Sequence, residues 1–327
     1  MGNRPLRVFG IGLQDHWLSH WVSCPDVQII GVVDIYQEAG AHFTNIPQFE
    51  DIPSTLQLLR PDLVTMVTPP HEKTCPDTIR TVLECGYDVF LEKFRPRSWE
   101  DGATLSALCR STGRQVSIGE SYRFDKIVEK AKLVIQSGRL GKLEQIAWRC
   151  QRPNIQASWM NAYEHVMLED LTYHHLGVLH YLLGAERFNQ VYATSVLPSW
   201  SMEQSPSVVS LIAQGQEGLQ LNYYASWAAH GGGAVTSWLG EFQIDGSEGT
   251  LQLCDDTLKF INREGQEEVL SPCESDGFEL RAGIVNEYID AFQNGRKSSL
   301  NIFAFQPVIR MIQAALESVK TGKPVDI

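Results

Sequence analysis

No apolar run in this chain approaches the roughly 20 residues needed to span a bilayer, so no transmembrane segment is expected. The seven cysteines are odd in number and form no Cys-x-x-Cys pair. That disfavours a disulfide framework or a zinc ribbon and fits reduced thiols in the cytoplasm. Met1-Gly2-Asn3-Arg4-Pro5 runs straight into an apolar strand, without the basic, apolar and cleavage regions of an export leader. Positive charge is scarce: 27 Lys and Arg stand against 39 Asp and Glu, a net charge of −12. A surface this acidic disfavours nonspecific binding to nucleic acid or to an anionic membrane. There is no internal repeat, low-complexity tract or Pro/Ser-rich linker.

What is present is ordinary globular material, 43% hydrophobic and 20% charged over 327 residues. That length suggests about two domains of ~100–200 residues each. In the first half, Leu6–Ile11 reads as a short strand ending in Gly10-Ile11-Gly12. A helix over 15–23 follows, and Val27–Val33 is a second strand, closed by Asp34. Leu63–Val67, Val89–Leu91 and Gln115–Ile118 continue the strand series, with helices expected near 51–60, 75–85 and 98–111. Such alternation argues for a doubly wound parallel sheet. A Gly-x-Gly turn after strand one and an acid after strand two is the dinucleotide-binding layout. Glycines let backbone approach a pyrophosphate, and a helix N-terminus supplies N–H donors to it. The Asp34 carboxylate accepts from ribose hydroxyls and repels a 2′-phosphate, and Ile35-Tyr36 offers no cation to receive one. NAD is therefore favoured over NADP. The third glycine of the fingerprint is replaced by Asp15.

Beyond residue 121 the pattern changes. A helix over 124–137 leads into strand-like runs at 143–151, 188–197, 207–214, 217–227, 237–245 and 249–254, with turns expected at Asp245-Gly246 and Glu248-Gly249. This reads as an α+β domain with a large, mostly antiparallel open sheet, and the boundary is set between 1–121 and 122–327. A last helix over 304–321 places Val308, Met311, Ile312, Ala315, Leu316 and Val319 on one stripe before Gly322 and Pro324 stop it.

Two segments carry chemistry. In the first, strand Leu63–Val67 opens into Thr68-Pro69-Pro70-His71 and strand Val89–Leu91 into Glu92-Lys93. A parallel sheet brings both to the edge where ligands bind. In the second, Leu168-Glu169-Asp170-Leu171-Thr172-Tyr173-His174-His175 begins a helix over about 168–183, closed by Gly184. Asp170 and His174 are four apart and share a face. A carboxylate beside an imidazole orients it and raises its basicity, which suits a general base.

The Gly-x-Gly turn, the Thr-Pro-Pro turn, Glu92-Lys93 and the Asp-x3-His pair together resemble the glucose-fructose oxidoreductase / inositol dehydrogenase (Gfo/Idh/MocA) family over nearly the whole chain. The resemblance implies a Rossmann NAD-binding domain over 1–121 and a substrate-binding and oligomerisation domain over 122–327. It implies a cofactor held by Gly10, Ile11, Gly12, Leu13, Asp34, Thr68, Pro69, Pro70, His71, Glu92 and Lys93. It also implies dehydrogenation of a secondary alcohol on a sugar, cyclitol or related polyol. In that scheme His174 takes the hydroxyl proton, Asp170 orients His174, and Lys93 hydrogen-bonds the reacting oxygen. A homo-oligomer, dimer or tetramer, is implied through the open sheet. Departures from the family pattern are Phe94 where proline usually follows the lysine, Glu164-His165-Val166 where glycines are common, and Gly177 where an acid often stands. By position, Arg152, Asn154, Tyr163, His165 and His175 are expected to touch substrate.

Several other signals are set aside. Glu164, His165, Glu169, Asp170, His174 and His175 are metal-ligating types without a metalloprotease motif, so no metal is expected. His230-Gly231-Gly232-Gly233 resembles an esterase oxyanion loop but no Gly-x-Ser-x-Gly elbow accompanies it. Five tryptophans lie beyond residue 140 and are read chiefly as core or interface. Two rival functions remain: a non-enzymatic NAD-binding regulator of the same fold, and an NAD-dependent glycoside hydrolase.

Overall fold

The apolar runs of the first half form a six-stranded parallel sheet in the computed structural model, which describes residues 4–12, 20–33, 45–67, 76–92, 99–153, 160, 163–184, 187–230, 235–272 and 277–327. Its strands are β1 (Leu6–Ile11), β2 (Val27–Val33), β3 (Gln48–Phe49), β4 (Leu63–Met66), β5 (Val89–Leu91) and β6 (Val116–Ile118), in the spatial order β3-β2-β1-β4-β5-β6. The order reverses at β1, with β2 on one side and β4 on the other, which opens a crevice at the carboxyl ends of the strands. β4, β5 and β6 are buried along their whole length, as expected where both sheet faces are covered. Gly31 in β2 is required by packing, because a Cβ there would lie 2.7 Å from the Phe49 ring and 2.9 Å from Leu59. Helices α1 (Ile52–Leu59), α2 (Pro76–Glu84) and α3 (Trp99–Thr112) alternate with the strands. Asp51 caps α1 by accepting a hydrogen bond from the Ser54 amide at 2.9 Å, which satisfies one of the first-turn donors. Of the helix expected over 15–23, residues 20–22 are helical and the rest lies outside the described residues.

Two units divide the chain. One comprises Met1–Ser121 with Asp276–Gln306, the other Tyr122–Ser275 with Pro307–Ile327. The second domain expected over 122–327 is therefore interrupted, because residues 276–306 fold with the first unit. Side-chain packing gives the reason. In α6 (Gly277–Gln293), Ile284 and Val285 are buried. The Tyr288 ring lies 5.5 Å from Phe90 and 5.8 Å from Trp21, and those two rings are 5.5 Å apart. Beyond α6, the Leu300 carbonyl accepts from the Ile118 amide at 2.8 Å, and the Ser298 carbonyl from Gln115 Nε2 at 2.6 Å. The strand edge at β6 and an aromatic cluster of the first half are thus completed from far down the sequence.

The second unit is built on a nine-stranded sheet. Its strands are β7 (Leu143–Pro153), β8 (Phe188–Val196), β9 (Val208–Gly215), β10 (Gln220–Ala229), β11 (Glu241–Gly246), β12 (Gly249–Cys254), β13 (Thr257–Asn262), β14 (Glu267–Pro272) and β15 (Val325–Asp326). The spatial order is β14-β13-β12-β11-β7-β10-β9-β8-β15. Only the β7–β10 pair is parallel among these strands. Asp245-Gly246 does not form the expected turn: both residues are in β11, and Gly246 pairs with Gly249 around Ser247-Glu248. β13 and β14 extend the sheet beyond the expected strands.

The sheet has two unlike faces, set by the period-2 alternation of strands. Trp148, Leu211, Leu221, Tyr223 and Phe242 are buried on one. Helices α4 (Lys126–Gln136) and α5 (Tyr173–Leu183) also belong to this unit, and α5 covers that face, since the His175 ring lies 5.5 Å from Trp148 and 5.8 Å from Tyr223. The other face exposes Arg149, Tyr192, Ile212 and Tyr224. A long helix, α7 (Ile302–Thr321), carries Pro307 inside it, and the division between the units falls there. Its Val308, Met311, Ile312 and Ala315 are buried as expected, whereas Leu316 and Val319 of the same expected stripe are half-buried. No helix among the described residues is long and apolar enough to cross a membrane.

Candidate functional site

In the first unit, β1 ends beside β2 with Ile11 opposite Val33. The Gly12 amide donates to the Val33 carbonyl at 2.9 Å, and Gly12 has φ of 72°. That left-handed conformation is strained for residues with a Cβ, so glycine is required where the chain leaves β1. The neighbouring strand ends are locked to it in sequence: the Val67 amide donates to Ile11 O at 2.9 Å, Glu92 N to Met66 O at 3.1 Å and Gly119 N to Leu91 O at 2.8 Å. Gly10, Ile11, Gly12 and Glu92 thus gather at one edge of the sheet, the edge where the strand order reverses. Ile11 points its side chain into the core, so only its backbone can face a ligand. Leu13, Asp34, Thr68, Pro69, Pro70, His71 and Lys93 lie outside the described residues, as do Asp15 and Phe94.

In the second unit, Asp170 stands in a π-helical turn, Met167–Thr172, that leads directly into α5. Wide turns of this kind occur mostly as single insertions in α-helices, frequently at functional sites. The turn is anchored at its start. Glu169 accepts from the His165 amide at 2.9 Å, and Ser205 Oγ from the Val166 amide at 3.3 Å. The Tyr163 hydroxyl donates to Asp170 Oδ1 at 3.2 Å. One turn on, the His174 ring is bracketed by the Tyr122 ring at 5.4 Å and the Tyr173 ring at 5.8 Å, both edge-on. The carboxylate is thus held by a phenol and the imidazole by aromatic edges, on one helix.

The expected substrate contacts separate into three groups. His175 is a correction. It is 1% exposed, with Nε2 2.8 Å from the Trp238 carbonyl and Nδ1 2.8 Å from the Tyr223 hydroxyl. A carbonyl only accepts, so Nε2 carries the proton and Nδ1 accepts from Tyr223. Burial pushes the His175 pKa down to about 4 and holds the Tyr223 phenol well above its usual range. Both ring nitrogens are committed inside the protein, so His175 fixes α5 to the sheet and does not reach substrate. Tyr163 is also buried, and its hydroxyl serves Asp170. Arg152 and His165 are half-buried and remain available, while Asn154 lies outside the described residues.

The metal-ligating residue types around α5 do not converge on a common point. Among the described residues, the three such groups that do approach one another are Glu241, Cys254 and Asp255, and the Arg149 guanidinium already pairs with Glu241 at 2.6 Å. A cavity of about 520 Å³ borders this group, lined by Arg149, Ile212, Tyr224 and Glu241 among others. It opens on the sheet face opposite α5 and is separate from the Asp170–His174 pair.

The sequence matches two models of one family. Residues 8–120 match the oxidoreductase family, NAD-binding Rossmann fold, and residues 128–252 match the GFO/IDH/MocA C-terminal domain. Among solved structures, an oxidoreductase from Agrobacterium radiobacter in complex with NAD+, L-tartaric acid and magnesium is similar at a TM-score of 0.85, with 17% identity and 98% of each chain covered. Aldose-aldose oxidoreductase from Caulobacter crescentus, complexed with glycerol, is similar at a TM-score of 0.77, with 16% identity, covering 99% of this chain and 100% of that one. The uncharacterized protein y4oX of Sinorhizobium fredii is 22% identical over 344 residues, covering 98% of this chain and 93% of its own.

Proposed function

This chain belongs to the GFO/IDH/MocA oxidoreductase family, and we propose that it is an NAD-dependent dehydrogenase acting on a secondary alcohol of a sugar, cyclitol or related polyol. The observation that carries the reading is the Asp170–His174 pair, set on a π turn with Tyr163 bonded to Asp170, in a chain with an NAD-binding Rossmann domain. The described cofactor-side residues fit the dinucleotide. Gly12 in the left-handed region and the strand ends at the reversal of sheet order give a backbone surface that a pyrophosphate can approach. Gly10, Ile11 through its backbone, Gly12 and Glu92, with Leu13, Asp34, Thr68, Pro69, Pro70, His71 and Lys93, are the residues we assign to hold it. Asp34 would accept from the ribose hydroxyls, favouring NAD over NADP. When bound, the nicotinamide supplies the hydride chemistry. The protein supplies proton handling and position. His174 receives the substrate hydroxyl proton, Asp170 keeps the imidazole oriented and offsets its charge, Tyr163 keeps Asp170 in place, and Lys93 donates to the reacting oxygen.

Sugar and polyol chemistry is supported by the aldose-aldose oxidoreductase neighbour and by the polyhydroxylated glycerol and tartaric acid in the two neighbouring structures. The reading is tested by calorimetric titration with NADH and NADPH, then by following nicotinamide absorbance over a panel of polyols and aldoses. NADH binding tighter than NADPH, with turnover on part of the panel, is the expected result. Gly12→Val should weaken NADH binding by about tenfold or more, because it loads a positive φ with a β-branched side chain. Cofactor binding without turnover on any alcohol would favour the non-enzymatic regulator instead, and sugar release with no net cofactor reduction would favour the glycoside hydrolase.

We also assign a homo-oligomer, with Tyr192, Ile212 and Tyr224 of the outer sheet face at the contact. These three are between 37% and 43% exposed and stand on neighbouring strands of one sheet face. Light scattering on the eluting protein should give a dimer or tetramer mass, and Ile212→Glu should lower it; a monomer in the parent protein would overturn the assignment.

A further inference from the structure

Arg152, at the end of β7, carries a guanidinium left without an acidic partner among the described residues. On β7, Trp148, Cys150 and Arg152 alternate onto one face, and Trp148 shows that this is the face covered by α5. The Arg152 guanidinium carbon sits 4.5 Å over the centre of the Trp238 ring, and Nη1 donates to the Thr236 carbonyl at 2.7 Å. Trp238 in turn accepts from His175, the residue next to His174. The arginine is therefore fixed in space by stacking and one hydrogen bond, and tied through Trp238 to the helix that carries Asp170 and His174.

The rest of the guanidinium is uncommitted. Nε is screened from solvent and has no hydrogen-bond partner, and Nη2 donates to nothing among the described residues. Nε and Nη2 form one edge of the guanidinium plane, and two parallel N–H donors on one edge are the geometry that takes a carboxylate in bidentate fashion. Structural arginines usually have such donors satisfied, since an unpaired buried N–H on a charged group is costly. Here one edge is spent on the fold and the other is kept.

We propose that Arg152 reads a carboxylate on the substrate, so that the alcohol oxidised belongs to a hydroxy acid of the aldonic or uronic type and not to a neutral polyol. Stacking on Trp238 pre-orients the fork, so less side-chain freedom is lost on binding. The proposal rests on the reading of Asp170–His174 as the reacting pair, but its test does not need turnover.

The test is calorimetric binding to the full-length protein saturated with NAD, using matched probes that differ in the acid group: D-gluconate against D-glucitol, and D-glucuronate against D-glucose. The acids are expected to bind about tenfold tighter or more. Arg152→Gln should erase that preference while leaving NAD affinity unchanged. Arg152→Lys, which keeps the charge but not the fork, should retain only part of it. A residue that merely braces Trp238 would lower the melting temperature in both variants without altering acid-against-neutral discrimination. Equal binding of acid and neutral probes, no binding of either acid, or a preference that survives in Arg152→Gln would each overturn the proposal. Acid preference with no turnover on any alcohol would leave this assignment standing and remove the dehydrogenase reading. Turnover of neutral polyols without acid binding would do the reverse.

Discussion

Replacing His174 by alanine is expected to lower kcat by a factor of roughly 10²–10⁴, the usual loss when a positioned general base is removed, with NAD affinity unchanged. The split between the two readouts is the informative part. His174 sits on α5 of the second unit, whereas the dinucleotide layout is in the first, so a loss confined to turnover assigns it to proton handling. Asp170→Asn should lower kcat as well, because an amide holds the imidazole without offsetting its charge when it protonates. Steady-state kinetics on whichever alcohol turns over, with parallel calorimetry for NAD, measures both. Turnover in His174→Ala equal to the parent protein would remove the assigned base and with it the role of the π turn.

Acid is expected to destabilise the second unit steeply, by about 3 kcal/mol for each of two buried histidines between pH 7 and pH 4. His175 and His180 are both almost fully shielded, and burial lowers the pKa of each to about 4. The unfolded chain takes up these protons near the ordinary imidazole value of about 6.5, while the folded chain refuses them until about pH 4. Over that window the unfolded state binds more protons, so stability falls as pH falls and levels off below the folded value. His180 separates this effect from site chemistry. Neither of its ring nitrogens has a hydrogen-bond partner, and its ring meets Phe188 edge-on at 6.1 Å. His180→Leu should therefore be neutral or stabilising at pH 7, because an unpaired polar group leaves the core. It should also remove about half of the acid sensitivity. Urea unfolding of both proteins across the window measures this. A His180→Leu protein that keeps the full pH dependence would show that other groups set it.

Much of the first unit was legible because its signals are local. Apolar runs of three to seven residues closed by a polar or turn-forming residue give all the strands but the two-residue β3, whose Gln48–Phe49 is too short to show a pattern, and Gly12 must be glycine for the conformation it adopts. The helix that carries His174 was legible from its apolar pattern and its closing Gly184. The π turn Met167–Thr172 that leads into it was not, because so short a segment is not set apart by its hydrophobic pattern. His175 was misplaced for a related reason. Adjacent histidines look equivalent in sequence, yet successive residues on a helix point about 100° apart, so one faces Tyr122 while its neighbour is driven into the sheet. β13 and β14 were missed because charged side chains such as Lys259, Glu267 and Glu268 interrupt their apolar pattern. The turn expected at Asp245-Gly246 fell two residues on, since pairing with β7 carries β11 through to Gly246. The recruitment of residues 276–306 into the first unit depends on contacts nearly two hundred positions apart, and no local pattern encodes those.

That recruitment has a consequence for how the chain is made. Residues 1–121 leave the ribosome well before residue 288, so the aromatic trio of Trp21, Phe90 and Tyr288 cannot close until nearly two hundred further residues beyond Phe90 have been synthesised. Until then Phe90 and Trp21 lack their lid, and β6 waits for the Leu300 carbonyl at its open edge. The nascent first unit is thus an unfinished sheet bearing exposed rings, a natural client for a holding chaperone, and a fragment cut at Ser121 would be born in that same condition and never leave it.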